Sequence, residues 1–327
     1  MKSKDKKLTE HAEQLLKERG TKALETAKKV ILKEKLACKE VSEAIKFFTE
    51  YWHDLARPTL ISICCDAVGG KPDSTVPVAA SMTLICGATD IHDDIIDNSE
   101  RKLSRSTIFG KFGKDIALLV GDALLFKGFL LLNNSCKNIP PKRTAQICSV
   151  ISNMFFEMGD AEALELKLRG RMDVTPEESL SVIKMKAADI EACARIGAII
   201  GNGSKKEIDA LGKYGRMFGT ILVLRDDLAD TADYEEASHR IKNEQLPLPI
   251  VLTLQNPETR AKISPFVLKE KIEKKDVKRI FEIVSEAGSV QKLTEVINGM
   301  RSNACSYTEG MPNRKYLTML IDAATFL

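Results

Sequence analysis

The chain has 327 residues, 49 of them basic and 46 acidic, for a formal net charge of +3. Such a balance predicts no nucleic-acid or anionic-membrane surface, and a hydrophobic content of 44% is that of an ordinary globular protein. Eight cysteines (38, 64, 65, 86, 136, 148, 193, 305) lie in apolar segments without a CxxC pair or zinc spacing, so free thiols in a reducing cytoplasm are expected.

The N-terminus, MKSKDKKLTE, has charge but no apolar core and does not read as a signal peptide. No apolar run is long enough and charge-free enough to be expected to span a bilayer. Residues from Lys7 to Arg19 and from Lys22 to Lys35 predict two amphipathic helices. Arg57-Pro58 opens the next helix, and Gly69-Gly70-Lys71-Pro72 ends it. A proline-free apolar run from Val78 then closes on Asp90-Ile-His-Asp-Asp-Ile-Ile-Asp97, with a DDxxD at Asp93, Asp94 and Asp97. On a helix, positions four apart share a face, so Asp93 and Asp97 point the same way, with Asp94 beside them. Asp90 could extend the stripe.

Helices are further expected from Gly113 to Leu132, from Lys142 to Arg169, from Thr175 to Gly201, and from Lys205 to Asp230. Thr175-Pro176-Glu177-Glu178 has the pattern of a capping box. The last of these helices ends on a second DDxxD, Asp226, Asp227 and Asp230, after the apolar run Tyr214 to Leu224. Stacked carboxylates repel and call for a cation, and hard oxygen ligands suit Mg²⁺. Two such helix ends facing each other across a cavity would hold a diphosphate clamped by several Mg²⁺ ions.

With these residues in hand, the chain from about Arg57 to its C-terminus resembles the trans-isoprenyl diphosphate synthases, or polyprenyl synthetases. The landmarks are DDIID (93–97), GDALL (121–125), Lys186 in IKMKAADI, LRDDLAD (224–230) and LPLP (246–249). The resemblance implies an all-α helical bundle around a deep central cavity, one domain over 1–327 with residues 1–36 as peripheral cover, and a homodimer. It implies loss of diphosphate from an allylic prenyl diphosphate and capture of the cation by the double bond of isopentenyl diphosphate. Asp93, Asp97 and Asp226 would bind Mg²⁺ directly, with Asp94, Asp227 and Asp230 in support. Lys186 and Lys102 would neutralise the leaving diphosphate. Ala88 and Thr89 leave the product tunnel open before the first motif, so chains of C20 or longer are expected.

The departures from the family pattern are uneven. Where it has Gly-Lys-Arg before Arg-Pro, this chain has His53-Asp54-Leu55. Arg57 remains, either as an ordinary helix-start residue or in a phosphate role. Cys86 replaces a histidine that contacts isopentenyl diphosphate. After the first motif, anchoring on Thr107 matches Lys102 and Leu103 to the two family arginines; a one-residue slip matches Arg101 and Lys102, with Arg105 also near. His92 reads as a packing or supporting residue. Glu162 and Glu165 read as solvated acids near a metal-contacting family position. Ala187, Leu222 and Val223 replace a threonine and a Phe-Gln pair, and Gln245 replaces a lysine whose role Lys242 could take from a shifted turn. Three readings stay open: a synthase with a rebuilt acceptor site, an enzyme with another acceptor or cyclase activity, and a non-catalytic partner subunit.

Overall fold

The computed structural model describes residues 3–102 and 105–325, and among them every element but one two-stranded hairpin is helical. The first elements are α1 (Ser3–Ile31), α2 (Lys39–Tyr51), α3 (Ala56–Ala67), α4 (Val76–Ile96), the hairpin β1 (Arg101–Lys102) and β2 (Arg105–Ser106), α5 (Ile108–Phe112) and α6 (Lys114–Ser135). There follow α7 (Pro141–Leu168), α8 (Pro176–Lys186), α9 (Ala188–Ile200), α10 (Lys205–Ala232), α11 (Tyr234–Asn243) and α12 (Leu248–Leu254). The last are α13 (Pro257–Val267), α14 (Lys274–Glu286), α15 (Ser289–Tyr307) and α16 (Arg314–Thr325).

These residues form two compact units. One is Met1–Ser152 with Ala192–Gly212 and Thr308–Leu320; the other is Asn153–Glu191 with Lys213–Tyr307 and Ile321–Leu327.

In the first unit, α4 is apolar all round its N-terminal turns, and residues from Val78 to Ala88 are buried without a break. That is the pattern of a core helix, each fully buried large apolar side chain contributing ~1.5–3 kcal/mol. The segment Pro72–Ile96 is long and apolar enough to cross a membrane, which the sequence was not expected to contain. Its most apolar stretch of 18 residues is nonetheless 72% buried inside the protein, as a core helix is. α6 packs along α4, and α1 lies on α3 and α4. α1 is one helix where the sequence suggests two. Gly20 does not break it; a Cβ there would stand 2.7 Å from the Leu55 carbonyl oxygen, so the glycine permits close packing instead.

In the second unit the capping box forms as expected: Glu178 N–H donates to Thr175 Oγ1, and Thr175 N–H to Glu178 Oε2. The helix expected to continue to Gly201 breaks at Ala187. The physical reason lies at the carbonyl end of α8. Arg216 of α10 donates to the Lys184 oxygen at 2.6 Å, satisfying a carbonyl that an unbroken helix would have paired internally. α12, with Leu248 to Val251 buried, packs on α8, α13, α14 and α15.

Candidate active site

The first acidic motif stands at the C-terminal end of α4. Asp97 is the C-cap, its N–H donating to the Asp93 oxygen, and Asn98 takes a left-handed φ of 53°. The Ser99 N–H then bonds back to the Asp94 oxygen at 2.8 Å, a helix stop that asparagine allows. A helix C-terminus already carries partial negative charge, so three aspartates there need compensation.

Lys102, at the end of β1, supplies it. Its Nζ lies 2.7 Å from Asp94 Oδ1 and 3.5 Å from Asp93 Oδ2. The Asp94 side chain is mostly buried, and burial pushes its carboxyl up to about 6 against the pull of Lys102. The Asp93 side chain is about a third exposed, at 32%, and Asp97 is buried.

One turn earlier, Asp90 does not extend the acidic stripe as a free carboxylate. Arg57 grips it with two nitrogens, at 3.2 and 3.3 Å, and also holds Asp54 at 3.1 Å. The anion at position 54 is therefore spent on the one basic residue left at the start of α3. Arg101 is exposed, and Leu103, matched to the second family arginine, lies outside the described residues.

His92 packs as expected. Its ring sits where a Cβ on Gly121 of α6 would be, 2.4 Å from that position, and its Nε2 lies 3.4 Å from Asp122. This explains why GD opens the GDALL landmark: the glycine admits the imidazole and the aspartate meets it. Ala88 is fully buried one turn above, with Thr89 bonded to the Cys86 oxygen.

In the second unit, the aspartates of α10 fall into two classes. Asp226 projects outward, 59% exposed, beside its neighbour Arg225. Asp227 is buried; its Oδ2 accepts the Leu248 N–H at 2.9 Å, tying α10 to the start of α12. Arg240 of α11, itself buried, meets Asp227 at 2.7 Å, Asp230 at 2.9 Å and Glu244 at 2.9 Å. Burial pushes the Asp230 carboxyl up to about 6, opposed by Arg240, while the surrounding carboxylates raise the Arg240 guanidinium far above its ordinary value despite burial. Nothing in the sequence marks Arg240, because no fixed spacing from the motif announces a contact made by the next helix. Lys242, which the sequence does single out, is exposed, whereas the residues of α11 turned inward are Ala237, Arg240 and Ile241.

Lys186 ends α8 and reaches two carboxylates of α7, Glu165 in close contact and Glu162 at 3.3 Å. The reading of these two acids as solvated is corrected: Glu165 is 2% exposed and Glu162 half-buried. They lie three residues apart on one face of α7, so a single lysine can serve both. Gln245 is buried, its N–H 3.5 Å from Glu165.

Among the described residues no three His, Cys, Asp or Glu side chains form a ready-made metal cage. The donor set still fits Mg²⁺, which takes one or two carboxylates together with substrate phosphates rather than a dedicated cage. The motif carboxylate most open to solvent is Asp93 in the first unit and Asp226 in the second.

The chain is similar to several known proteins. A short chain isoprenyl diphosphate synthase of Methanothermobacter thermautotrophicus is 35% identical over 182 residues, 55% of this chain and 55% of that one. A geranylgeranyl diphosphate synthase of Methanosarcina mazei is 28% identical over 208 residues, 63% and 64% of the two chains. The matches thus span under two thirds of the length of these curated relatives. The crystal structure of a geranylgeranyl pyrophosphate synthetase from Pyrococcus horikoshii superposes with a TM-score of 0.86 at 26% identity, covering 99% of this chain and 100% of that one. The fold is therefore the all-α fold of these synthases. The family description "Polyprenyl synthetase" matches residues 39–284, well over half of the sequence, and the chain belongs to that family.

Proposed function

We propose that this protein is a Mg²⁺-dependent prenyltransferase of isoprenoid biosynthesis. It ionises an allylic prenyl diphosphate and joins the prenyl cation to isopentenyl diphosphate, giving a prenyl diphosphate of C20 or longer. The observation that carries this is the pair of DDxxD motifs at helix ends, each with one outward carboxylate, Asp93 and Asp226. Names of the relatives, geranylgeranyl and short-chain isoprenyl diphosphate synthases, support the substrate class.

When bound, Mg²⁺ draws electron density from the leaving diphosphate. Asp93, Asp97 and Asp226 would ligate it, with Asp94, beside Asp93 at the same helix end, in support. Lys102 and Lys186, now held by carboxylates, would turn to the diphosphate oxygens as charge builds there. Asp227 and Asp230, tied to Arg240, would fix the end of α10 from which Asp226 projects. Apolar helix faces would hold the prenyl tail and keep water from the cation.

The same reading makes the chain one catalytic domain, cytoplasmic, and a homodimer. Free cysteines fit a reducing compartment. For the dimer, Leu119, Phe126, Phe129 and Leu130 form an exposed apolar stripe on α6, a surface that monomers seldom leave bare.

A second reading has a specific observation in its favour. Arg57, the one basic residue left where the family binds the acceptor, is already neutralised by Asp54 and Asp90, so another acceptor could be used. The test is product analysis with geranyl, farnesyl and geranylgeranyl diphosphates and Mg²⁺, with and without isopentenyl diphosphate. A longer prenyl diphosphate formed only with isopentenyl diphosphate supports the synthase. Diphosphate release indifferent to it supports another acceptor, and no release from any substrate refutes both.

A further inference from the structure

A pocket of about 300 Å³ opens beside the first acidic motif, within the first unit. Phe47, Phe48, Tyr51 and Trp52 give it an aromatic wall, and Lys102 and Arg105 from the hairpin line it too. Its size is at the small end for ligand pockets. Two carboxylates also face it, Asp90 and Asp94, but each is matched by a cation, Arg57 and Lys102 respectively.

Arg105 is different. Its guanidinium lies 4.3 Å from the centre of the Tyr51 ring, and it has no carboxylate partner among the described residues. In the hairpin register it stands directly opposite Lys102. Like charges in that position disfavour a strand pair. Lys102 has its aspartates; Arg105 has only an aromatic face, which orients the guanidinium without neutralising it. An oriented, uncompensated arginine at an apolar pocket suits a ligand with a short hydrocarbon group on a strong anion. Arginine is the side chain that meets phosphate oxygens with two parallel hydrogen bonds.

We infer that Arg105, held against Tyr51, binds the diphosphate of the acceptor, with the aromatic wall receiving its five-carbon group. It takes the part that Arg57, engaged by Asp54 and Asp90, does not. The inference rests on the proposed synthase reading and names how that site recognises its second substrate.

The test is steady-state kinetics of Arg105→Gln, Arg105→Lys and Tyr51→Leu with farnesyl and isopentenyl diphosphates, beside calorimetric titration of the wild-type protein with isopentenyl diphosphate. Arg105→Gln should raise KM for isopentenyl diphosphate about ten- to a hundredfold and leave KM for farnesyl diphosphate within about twofold. Arg105→Lys should recover part of the loss, and Tyr51→Leu should raise the same KM by a smaller factor. An unchanged KM for isopentenyl diphosphate in Arg105→Gln, in an enzyme that extends farnesyl diphosphate normally, overturns the role of Arg105 alone. A wild-type protein that releases diphosphate from farnesyl diphosphate but does not bind isopentenyl diphosphate overturns the synthase reading, and this inference with it. Arg105 is exposed on a short hairpin, so its variants are expected to fold; Arg105→Lys keeps the charge if the glutamine variant does not.

Discussion

The two DDxxD motifs are nearly the same in sequence and are balanced by cations of opposite character. At the first, Lys102 is a half-exposed ammonium, its side chain 53% exposed, on a hairpin of two-residue strands. At the second, Arg240 is an 11% exposed guanidinium that joins three carboxylates of α10 and the end of α11. Lys102 is the more exposed of the two cations, and of its partners Asp93 is a third exposed and Asp94 mostly buried, so it is the easier one to exchange. A buried arginine with several partners is built in, and its removal strands the charges around it. The lesson is that one motif can mean two things: an exchangeable counter-ion at Asp93 and Asp94, and a structural one at Asp227 and Asp230.

The largest effects should come from the outward carboxylates. Asp93→Ala and Asp226→Ala are each expected to lower kcat by two or more orders of magnitude while circular dichroism and melting stay near wild type. Near-normal turnover in both would end the metal assignment. The contrast itself is sharpened by replacing the two cations with methionine. Arg240→Met should cost about 3–5 kcal/mol in urea unfolding. Lys102→Met should cost clearly less than Arg240→Met, since only one of its partners, Asp94, is buried, yet reduce activity through its proposed role at the substrate. Equal stability losses would erase the distinction.

How much of this was legible beforehand differs between elements. The helices bearing the motifs were visible because a proline-free apolar run ending in acids has one reading on a helix. The cap at Thr175 was visible because its partners are three residues apart. Glu165 and Arg240 were not, since an acid on a long helix and a basic residue ten positions past a motif look like solvated surface until another helix arrives. Asp54 was recognised as an anion where a cation was expected; that it takes Arg57 with it needed coordinates. The break at Ala187 was hidden for the same reason, as it depends on Arg216 from α10.

A smaller effect is expected at Ala88. It is fully buried one turn before the first motif, and phenylalanine there should shorten the product distribution while lowering stability by about 1–3 kcal/mol through overpacking. An unchanged product length, read by chromatography, would remove Ala88 from the tunnel wall. The smallest concerns thiol reactivity. Burial pushes Cys65 up to about 11 and Cys64 higher still, so both should resist a thiol reagent in the native protein, while exposed Cys38 and Cys148 react first. Rapid labelling of Cys64 would contradict the packing of α3.

Lys102 also sets an order of events. On the proposed reading, a metal ion arriving at Asp93 and Asp94 would have to displace an ammonium already there, so the motif alone would hold divalent ions weakly. The proposed allylic diphosphate would give that ammonium somewhere else to go, and metal and first substrate would then favour each other's binding by the same factor. Because Lys102 stands opposite Arg105 in the hairpin and lines the same pocket, its departure from the aspartates would be felt directly at Arg105. Loading would then be sequential by construction, and a non-ionisable allylic analogue with Mg²⁺ should tighten isopentenyl diphosphate binding.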